Sequence, residues 1–150
     1  MPFLDLLPAE RVRTGLDARD KAGLIDRLAA ILAVDGDIDV ARDALAARER
    51  LGSTGLGHGV AIPHGRSAKI GEARAAFVRL AEPVDFGADD GKPVDLVAAL
   101  LVPAHFTDQH LKLLAELAEL FSDPAVTTGL REAPDTSSLL GVLKKGLRAE

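Results

Sequence analysis

Residues 93–102 read Pro93-Val94-Asp95-Leu96-Val97-Ala98-Ala99-Leu100-Leu101-Val102, an apolar run that only Asp95 interrupts. Such a run is typical of a strand buried on both faces, as in a sheet that is covered by helices on each side. Pro103 ends the predicted strand. A second strand is predicted at residues 75–80, and Glu82-Pro83 punctuates it. These two strands predict a buried sheet.

Helical patterns flank these strands on both sides in the sequence. Five helices are predicted. The first is capped by Asp20 and ended by Gly36, and the second runs from an Asp39 cap through Ala47. The third covers residues 109–121 after a cap at Thr107 or Asp108, a short fourth begins at Asp123-Pro124, and the fifth runs from Asp135 to about Leu147. The predicted inner stripe of the third helix comprises Leu111, Leu114, Leu117, Ala118 and Phe121. Interleaved helices and strands predict a single α/β domain over residues 1–150, with helices on both faces of the sheet.

Composition excludes several classes of function. The formal net charge of −5 argues against nonspecific nucleic-acid binding, and five Phe with no Tyr or Trp leave few side chains for base stacking. The absence of cysteine excludes disulfides, thiol chemistry and zinc–thiolate sites. No stretch of the sequence has the length of a membrane span or the pattern of a signal peptide. We therefore expect a cytoplasmic protein that does not insert into a membrane.

The chemistry is predicted to lie in residues 52–65, which read Gly52-Ser53-Thr54-Gly55-Leu56-Gly57-His58-Gly59-Val60-Ala61-Ile62-Pro63-His64-Gly65. Glycine allows backbone amides to approach a ligand closely, and Pro63 sets the direction of the chain just before His64. A histidine held in this way is displayed rather than packed. Because imidazole titrates near neutral pH and is a competent nucleophile, His64 is a candidate for covalent or acid–base chemistry.

Two further residues are candidates for an anion site. His110 lies in the first turn of a predicted helix just beyond a strand end, where α/β proteins bind anions, although a solvated polar residue there is equally compatible with the sequence. Arg48 precedes the glycine-rich segment, and its guanidinium suits phosphate oxygens. His58 is interpreted as an exposed spacer. A metal site built from His58, His64 and His110 has no recognised ligand spacing to support it.

A nucleotide site fails on inspection. No G-x-x-x-x-G-K-[ST] sequence is present, and the spacing of Gly55, Gly57 and Gly59 is not that of the dinucleotide fingerprint. The glycines lead into residues 60–63, which read as a strand, whereas a phosphate-binding glycine loop would lead into a helix.

Residues 52–65 resemble the active-site signature of enzyme IIA proteins of the phosphotransferase system, of the fructose/mannitol type, and within it the nitrogen-regulatory branch. Residues 93–103 and the segment His110-Leu111-Lys112-Leu113-Leu114 also resemble this family, so the likeness covers essentially the whole chain. It implies a mixed sheet of about five strands flanked by helices. It also implies a phosphorylated histidine at His64, a second active-site histidine at His110, an active-site arginine at Arg48 and a loop hydroxyl at Thr54.

The family resemblance implies a phosphotransferase component that acts as a stoichiometric phosphocarrier and needs no cofactor. A phosphohistidine protein related to HPr would supply the phosphoryl group. Backbone amides of Gly55, Gly57 and Gly59 are predicted to bind its oxygens, together with Thr54. His58 departs from the Asn or Glu expected at its position.

Four functions stay open at this point. The leading interpretation is a regulator of other proteins, related to nitrogen control. A sugar-specific IIA component that passes phosphate to a separate IIB subunit would use the same chemistry at His64. A non-catalytic binding module would need neither His64, His110 nor Arg48, so the presence of all three weighs against it. A metal-dependent hydrolase is the weakest alternative.

Overall fold

A mixed six-stranded sheet lies between two layers of helices in the computed structural model, which describes residues 2–148. The helices are α1 (Lys21–Leu32), α2 (Ile38–Glu49), α3 (Asp108–Phe121), α4 (Pro124–Glu132) and α5 (Thr136–Arg148). The strands are β1 (Val12–Leu16), β2 (Gly55–Gly57), β3 (Val60–Ala61), β4 (His64–Ser67), β5 (Arg74–Val84) and β6 (Val94–Pro103). Short 3-10 helices at Phe3–Leu6 and Ala9–Arg11 precede β1. Between residues 2 and 148, none of the helices combines the length and the apolar composition of a membrane span.

The sheet has the order β1-β5-β6-β3-β2, and β4 pairs with β6 beyond the end of β3. Strands β5 and β6 pair antiparallel at the centre, whereas β3 and β4 both run parallel to β6. Val60 is aligned with Leu96, and His64 is aligned with Leu100. Strands β3 and β4 are therefore two pieces of one interrupted line along the same edge of β6. The prediction of an α/β fold with a mixed sheet is confirmed.

Strand β6 alternates its side chains between two cores. Leu96, Ala98 and Leu100 pack with α3, α4 and α5 on one face of the sheet. Val97, Ala99 and Leu101 pack with α1 and α2 on the other face. All six side chains are completely buried. The prediction of a strand buried on both faces is confirmed, and with it the placement of helices on both sides.

The single charged residue of this strand has a defined partner. The Asp95 carboxylate accepts hydrogen bonds from Arg131 of α4, with Arg131 Nη2 2.9 Å from Asp95 Oδ1 and Arg131 Nε 3.0 Å from Asp95 Oδ2. The Asp95 amide donates to the Gly59 carbonyl. Asp95 therefore joins helix α4 to the turn between β2 and β3.

Several predicted boundaries are corrected by the structure. Helix α2 begins at Ile38 rather than after an Asp39 cap, and it continues to Glu49 rather than ending at Ala47. Strand β5 extends to Val84, so Glu82-Pro83 lies inside it. The β5–β6 register shifts between Arg79 and Val84, and this irregularity accommodates a proline that cannot donate a ladder hydrogen bond. Asp20 caps α1 as predicted, because its carboxylate accepts from the Gly23 amide.

The predicted inner stripe of α3 is rotated by about one residue. The buried residues are His110, Leu113, Leu117, Leu120 and Phe121. Leu111, predicted to be internal, is 66% exposed, and Ala118 is exposed as well. The sequence of α3 is rich in Leu and Ala on several sides, so its periodicity allows more than one inner face. Packing against the sheet selects the face that turns His110 inward.

Candidate active site

His64 is positioned by the interruption between β3 and β4. Ile62 and Pro63 fill the gap, and the Pro63 carbonyl accepts a hydrogen bond from the Leu100 amide of β6. His64 opens β4 and is 8% exposed, so it is buried and not displayed as predicted. Its Nδ1 atom lies 2.7 Å from the Ile62 carbonyl oxygen. Because a carbonyl oxygen only accepts, Nδ1 carries the proton of the neutral ring, and Nε2 keeps a free lone pair.

Gly65 allows helix α2 to approach this strand. A Cβ atom at Gly65 would lie 2.6 Å from the carbonyl carbon and oxygen of Ala44, closer than real Cβ contacts occur. The absence of a side chain at Gly65 thus lets α2 pack directly on β4. This contact brings Arg48, in the last turn of α2, to the same cleft as His64.

His110 enters the cleft from the first turn of α3. Its ring lies edge-on to that of His64, with the two ring centroids 5.0 Å apart and an angle of 78° between the planes. His110 is 7% exposed. Among the described residues, its Nε2 is the one buried side-chain nitrogen or oxygen with no hydrogen-bond partner. An unpaired buried polar atom is costly, so this nitrogen is a candidate for contact with a ligand.

Both imidazoles are held in the neutral form. Burial lowers the pKa of His110 to about 4, and the nearby His64 and Arg66 side chains act in the same direction. Burial also lowers the pKa of His64, assisted by the positive charges of Arg48 and Arg66. The hydrogen bond to the Ile62 carbonyl and the charge of Glu49 oppose that shift without reversing it. At neutral pH the site therefore presents two uncharged imidazoles.

The cleft between α2, β4 and α3 has a volume of about 630 Å³ and is lined by His64, His110, Arg48 and Arg66, with apolar side chains around them. The Arg48 guanidinium is oriented by donation from Nη1 to the Gly52 carbonyl oxygen, 2.9 Å away. Arg66 was missed in the sequence. The signal was present, because residues i and i+2 of a strand share a face and Arg66 follows His64 by two positions. Two guanidinium groups beside two neutral imidazoles suit an anion such as a phosphoryl group.

Thr54 and the glycines lie elsewhere. Thr54 is 5% exposed and its hydroxyl donates to the Glu49 carboxylate, and it is not among the residues that line the cleft. Gly55 and Gly57 belong to β2, and Gly59 lies in the turn that leads to β3. The structure therefore brings together His64, His110 and Arg48 but not Thr54, Gly55, Gly57 and Gly59. The geometry gives no support to a phosphate-binding role for these four residues.

The alternative metal site is not assembled either. His58 lines a separate depression with Gly59, Lys92, Asp95 and Arg131. His58 lies in the β2–β3 turn with a φ of 57°, and its amide donates to Oδ2 of Asp90, which lies between β5 and β6. The three histidines thus do not converge on one point, and His58 is a turn residue.

Comparisons with known proteins agree with this architecture. Residues 5–146 match the family described as "Phosphoenolpyruvate-dependent sugar phosphotransferase system, EIIA 2". A nitrogen regulatory protein of Bradyrhizobium diazoefficiens is 39% identical over 145 residues, which cover 95% of each chain. The fructose-specific EIIA component of Haloferax volcanii is 36% identical over 142 residues, which cover 92% of each chain.

A solved structure is similar over nearly the same length. The nitrogen regulatory protein IIA-Ntr from Neisseria meningitidis matches with a TM-score of 0.88 and 38% identity, over 93% of this chain and 97% of that one. The family match spans almost every residue that builds the sheet, the helices and the cleft. The chain belongs to the EIIA type-2 family of the phosphoenolpyruvate-dependent sugar phosphotransferase system.

Proposed function

We propose that this protein is a phosphocarrier that accepts a phosphoryl group on Nε2 of His64 from a phosphohistidine of an HPr-like donor. The observation that carries the proposal is the 2.7 Å contact between His64 Nδ1 and the Ile62 carbonyl oxygen. This contact occupies one ring nitrogen with a proton and leaves the lone pair of the other for attack on phosphorus. The lowered pKa of His64 keeps that lone pair available at neutral pH.

The transfer balances without an external acid or base. The Nε2 lone pair of His64 forms a bond to phosphorus while the nitrogen–phosphorus bond of the donor breaks, and its electron pair returns to the donor nitrogen. When each ring carries a proton on its other nitrogen, no proton has to move. Because donor and acceptor are both imidazoles, catalysis consists of in-line positioning and stabilisation of the charge on the transferring group.

Three side chains of the cleft are suited to that stabilisation. Arg48 and Arg66 supply permanent positive charge, and Arg48 is already oriented by the Gly52 carbonyl. His110 is neutral above its pKa of about 4, so its ring can donate one N–H to a phosphoryl oxygen. These groups would offset charge that develops in the transition state.

We further propose that the phosphorylation state of His64 regulates other proteins, in a role related to nitrogen control. The likeness to nitrogen regulatory proteins from Bradyrhizobium and Neisseria supports this role. A sugar-specific IIA component that passes phosphate to a IIB subunit is the second candidate. The fructose-specific relative from Haloferax, at 36% identity, favours it. Incubation of the phosphorylated protein with a IIB subunit from the same cell would separate the two, since only a transport component is expected to lose its phosphate rapidly.

The decisive experiment follows phosphorylation by intact mass. An HPr-like carrier is phosphorylated by phosphoenolpyruvate and enzyme I, purified, and mixed with this protein in the presence of a divalent-metal chelator. The wild-type protein is expected to gain the mass of one phosphoryl group, labile in acid and stable in base. His64→Ala should gain none, whereas His58→Ala, a histidine of the same segment outside the cleft, should be labelled like the wild type.

Two outcomes of this experiment would contradict the proposal. Full labelling of folded His64→Ala would place the acceptor elsewhere. Loss of wild-type labelling on chelation, with the donor already phosphorylated, would favour a metal-dependent reaction.

A further inference from the structure

A buried carboxylate lies beneath the cleft. Glu49 is the last residue of α2, and its side chain is only 4% exposed. Glu49 Oε2 lies 2.7 Å from Lys21 Nζ of α1. On the other side, the Glu49 carboxylate accepts from both the amide and the hydroxyl of Thr54, with the Thr54 nitrogen 3.2 Å from Oε1. Glu49 therefore ties the ends of two helices to the start of the glycine-rich segment.

This carboxylate is linked to His64 through a short series of hydrogen bonds. The Thr54 carbonyl accepts from the Ile62 amide at 3.1 Å. The Ile62 carbonyl in turn accepts from His64 Nδ1 at 2.7 Å. Glu49 is thus connected through Thr54 to Ile62, whose carbonyl is the backbone group that contacts the imidazole.

Arg48 depends on the same segment. Its guanidinium donates to the Gly52 carbonyl, and the Gly52 amide donates to the backbone carbonyl of Glu49. The stretch from Gly52 to Thr54 is therefore attached to the end of α2 by the Gly52 amide, by the Arg48 guanidinium and by the Glu49 side chain. If the side-chain attachment is lost, the acceptor of Arg48 and the support of Ile62 are both loosened.

Lys21, the cation that pairs with Glu49, is also held by other contacts. Lys21 Nζ lies 4.4 Å from the centroid of the Phe86 ring and donates to the Phe86 carbonyl, which also accepts from the Ser53 hydroxyl. An ion pair with a buried carboxylate contributes little net stability because that carboxylate must be desolvated. A pair this well coordinated, next to a site that demands exact geometry, points to a role in positioning.

We propose that Glu49 is a positioning residue for the phosphoryl acceptor, which acts through Thr54 and Ile62 to keep the His64 ring oriented with its proton on Nδ1 and Nε2 free. The part of this inference that concerns phosphoryl transfer rests on the proposed function. The orientation of the ring itself is a property of the unphosphorylated protein and can be measured without a donor.

The test is to read the two ring nitrogens of His64 by ¹⁵N NMR in the unphosphorylated protein at neutral pH. The variants are Glu49→Gln, which removes the charge that faces Lys21, and Thr54→Val, which removes only the hydroxyl. The control is Asp37→Asn. Asp37 forms a partly buried ion pair with Arg74, with Asp37 Oδ2 2.9 Å from Arg74 Nη2, and it too accepts a backbone hydrogen bond, from the Val34 amide.

We expect the wild type to show a proton on Nδ1 and an unprotonated Nε2. Glu49→Gln should show a mixture of the two tautomers, and Thr54→Val a smaller change in the same direction. The rate of phosphoryl acceptance should fall by roughly 10- to 100-fold in Glu49→Gln, as expected for a misplaced acceptor. Asp37→Asn should lower thermal stability while leaving the ring signals and the rate per folded molecule unchanged.

Wild-type ring signals in both folded variants would overturn the inference. If Glu49→Gln does not fold, Thr54→Val decides alone, and unchanged signals in it have the same consequence. A change in Asp37→Asn as large as that in Glu49→Gln would also overturn it, since the effect would then be general destabilisation. Failure of the wild type to become phosphorylated would refute the proposed function but not the coupling of Glu49 to the tautomer.

Discussion

Two depressions on this protein each combine an arginine with a histidine from the same glycine-rich segment, yet they differ in how their polar groups are satisfied. Beside His58, Arg131 donates to the Asp95 carboxylate and to the His58 carbonyl, and Asp90 accepts from the His58 amide. In the cleft of His64, Arg48 has a single carbonyl partner in the described structure, and the buried Nε2 of His110 has none.

The same residue types therefore stabilise the fold in one depression and are available to a ligand in the other. Paired charges such as Arg131 and Asp95 hold a helix to a turn. Cationic and polar groups that lack counterparts, as around His64, are left available to an incoming anion. The residue types alone do not distinguish the two depressions, because each contains histidine, arginine and glycine.

The largest expected effect is slower phosphoryl acceptance by variants of the His64 cleft, compared with a variant of the other depression. Arg48→Ala should accept phosphate from a purified phosphorylated carrier about 10²–10³ times more slowly than the wild type, because it lacks the positive charge that stabilises the transferring phosphoryl group. His110→Ala should lose a comparable factor through the missing hydrogen bond. Arg131→Ala should keep the wild-type rate. Time courses of intact mass measure all three, and equal rates in the three variants would contradict the assignment of the cleft.

A second test uses the pH dependence of stability. The pKa of folded His110 is about 4, below its ordinary value of 6.5, so the unfolded chain takes up the proton first as the pH falls. The stability that neutral His110 contributes is present above pH 6.5 and is lost as the pH falls towards 4. Between those pH values the wild type should lose on the order of 3 kcal/mol more than His110→Ala. Urea unfolding at both ends of the range measures the difference, and parallel losses would show that His110 is not held neutral.

Substitutions in the depression beside His58 should change the stability of the protein but not its phosphorylation. Arg131→Ala removes the hydrogen bonds to Asp95 and to the His58 carbonyl, and we expect a loss of about 1–2 kcal/mol in the free energy of unfolding. If the pair acts as a unit, Arg131→Ala combined with Asp95→Asn should cost less than the sum of the single variants. Strict additivity in urea unfolding would show that the ion pair does not join α4 to the turn.

The smallest expected effect is a gain. His58 has a φ of 57°, a conformation that glycine adopts without the steric cost of a Cβ atom. His58→Gly should therefore stabilise the protein by about 0.5–1 kcal/mol and leave phosphorylation unchanged. His58→Ala is the matched control, because it removes the imidazole while retaining the unfavourable backbone conformation, and it should bring no gain. Slower phosphorylation of His58→Gly would mean that His58 contributes to the site after all.

Local sequence was sufficient where one segment carries its own signal. The apolar run of β6 predicted a strand buried on both faces, and the Asp20 cap placed the start of α1. His64 stood out from its Pro63 and Gly65 neighbours, whereas the position of His110 at a helix start allowed either an anion site or a solvated residue until the family resemblance implied an active-site role. Thr54 was predicted to bind phosphate from the family resemblance, and the glycines because they allow backbone amides to approach a ligand closely. None of these residues lines the cleft.

What the sequence by itself determined is the α/β class, the buried central strand and the choice of His64, at the end of the glycine-rich segment, as a candidate for chemistry. These depend on periodicity and on the backbone restrictions of proline and glycine, which act over a few residues. Only the tertiary structure decided which face of α3 turns inward, how close the His110 ring lies to that of His64, and that Lys21 of α1 pairs with the buried Glu49 carboxylate. Those contacts join residues that are distant in the chain, and their burial, charge and hydrogen-bond partners exist only once the helices have packed on the sheet.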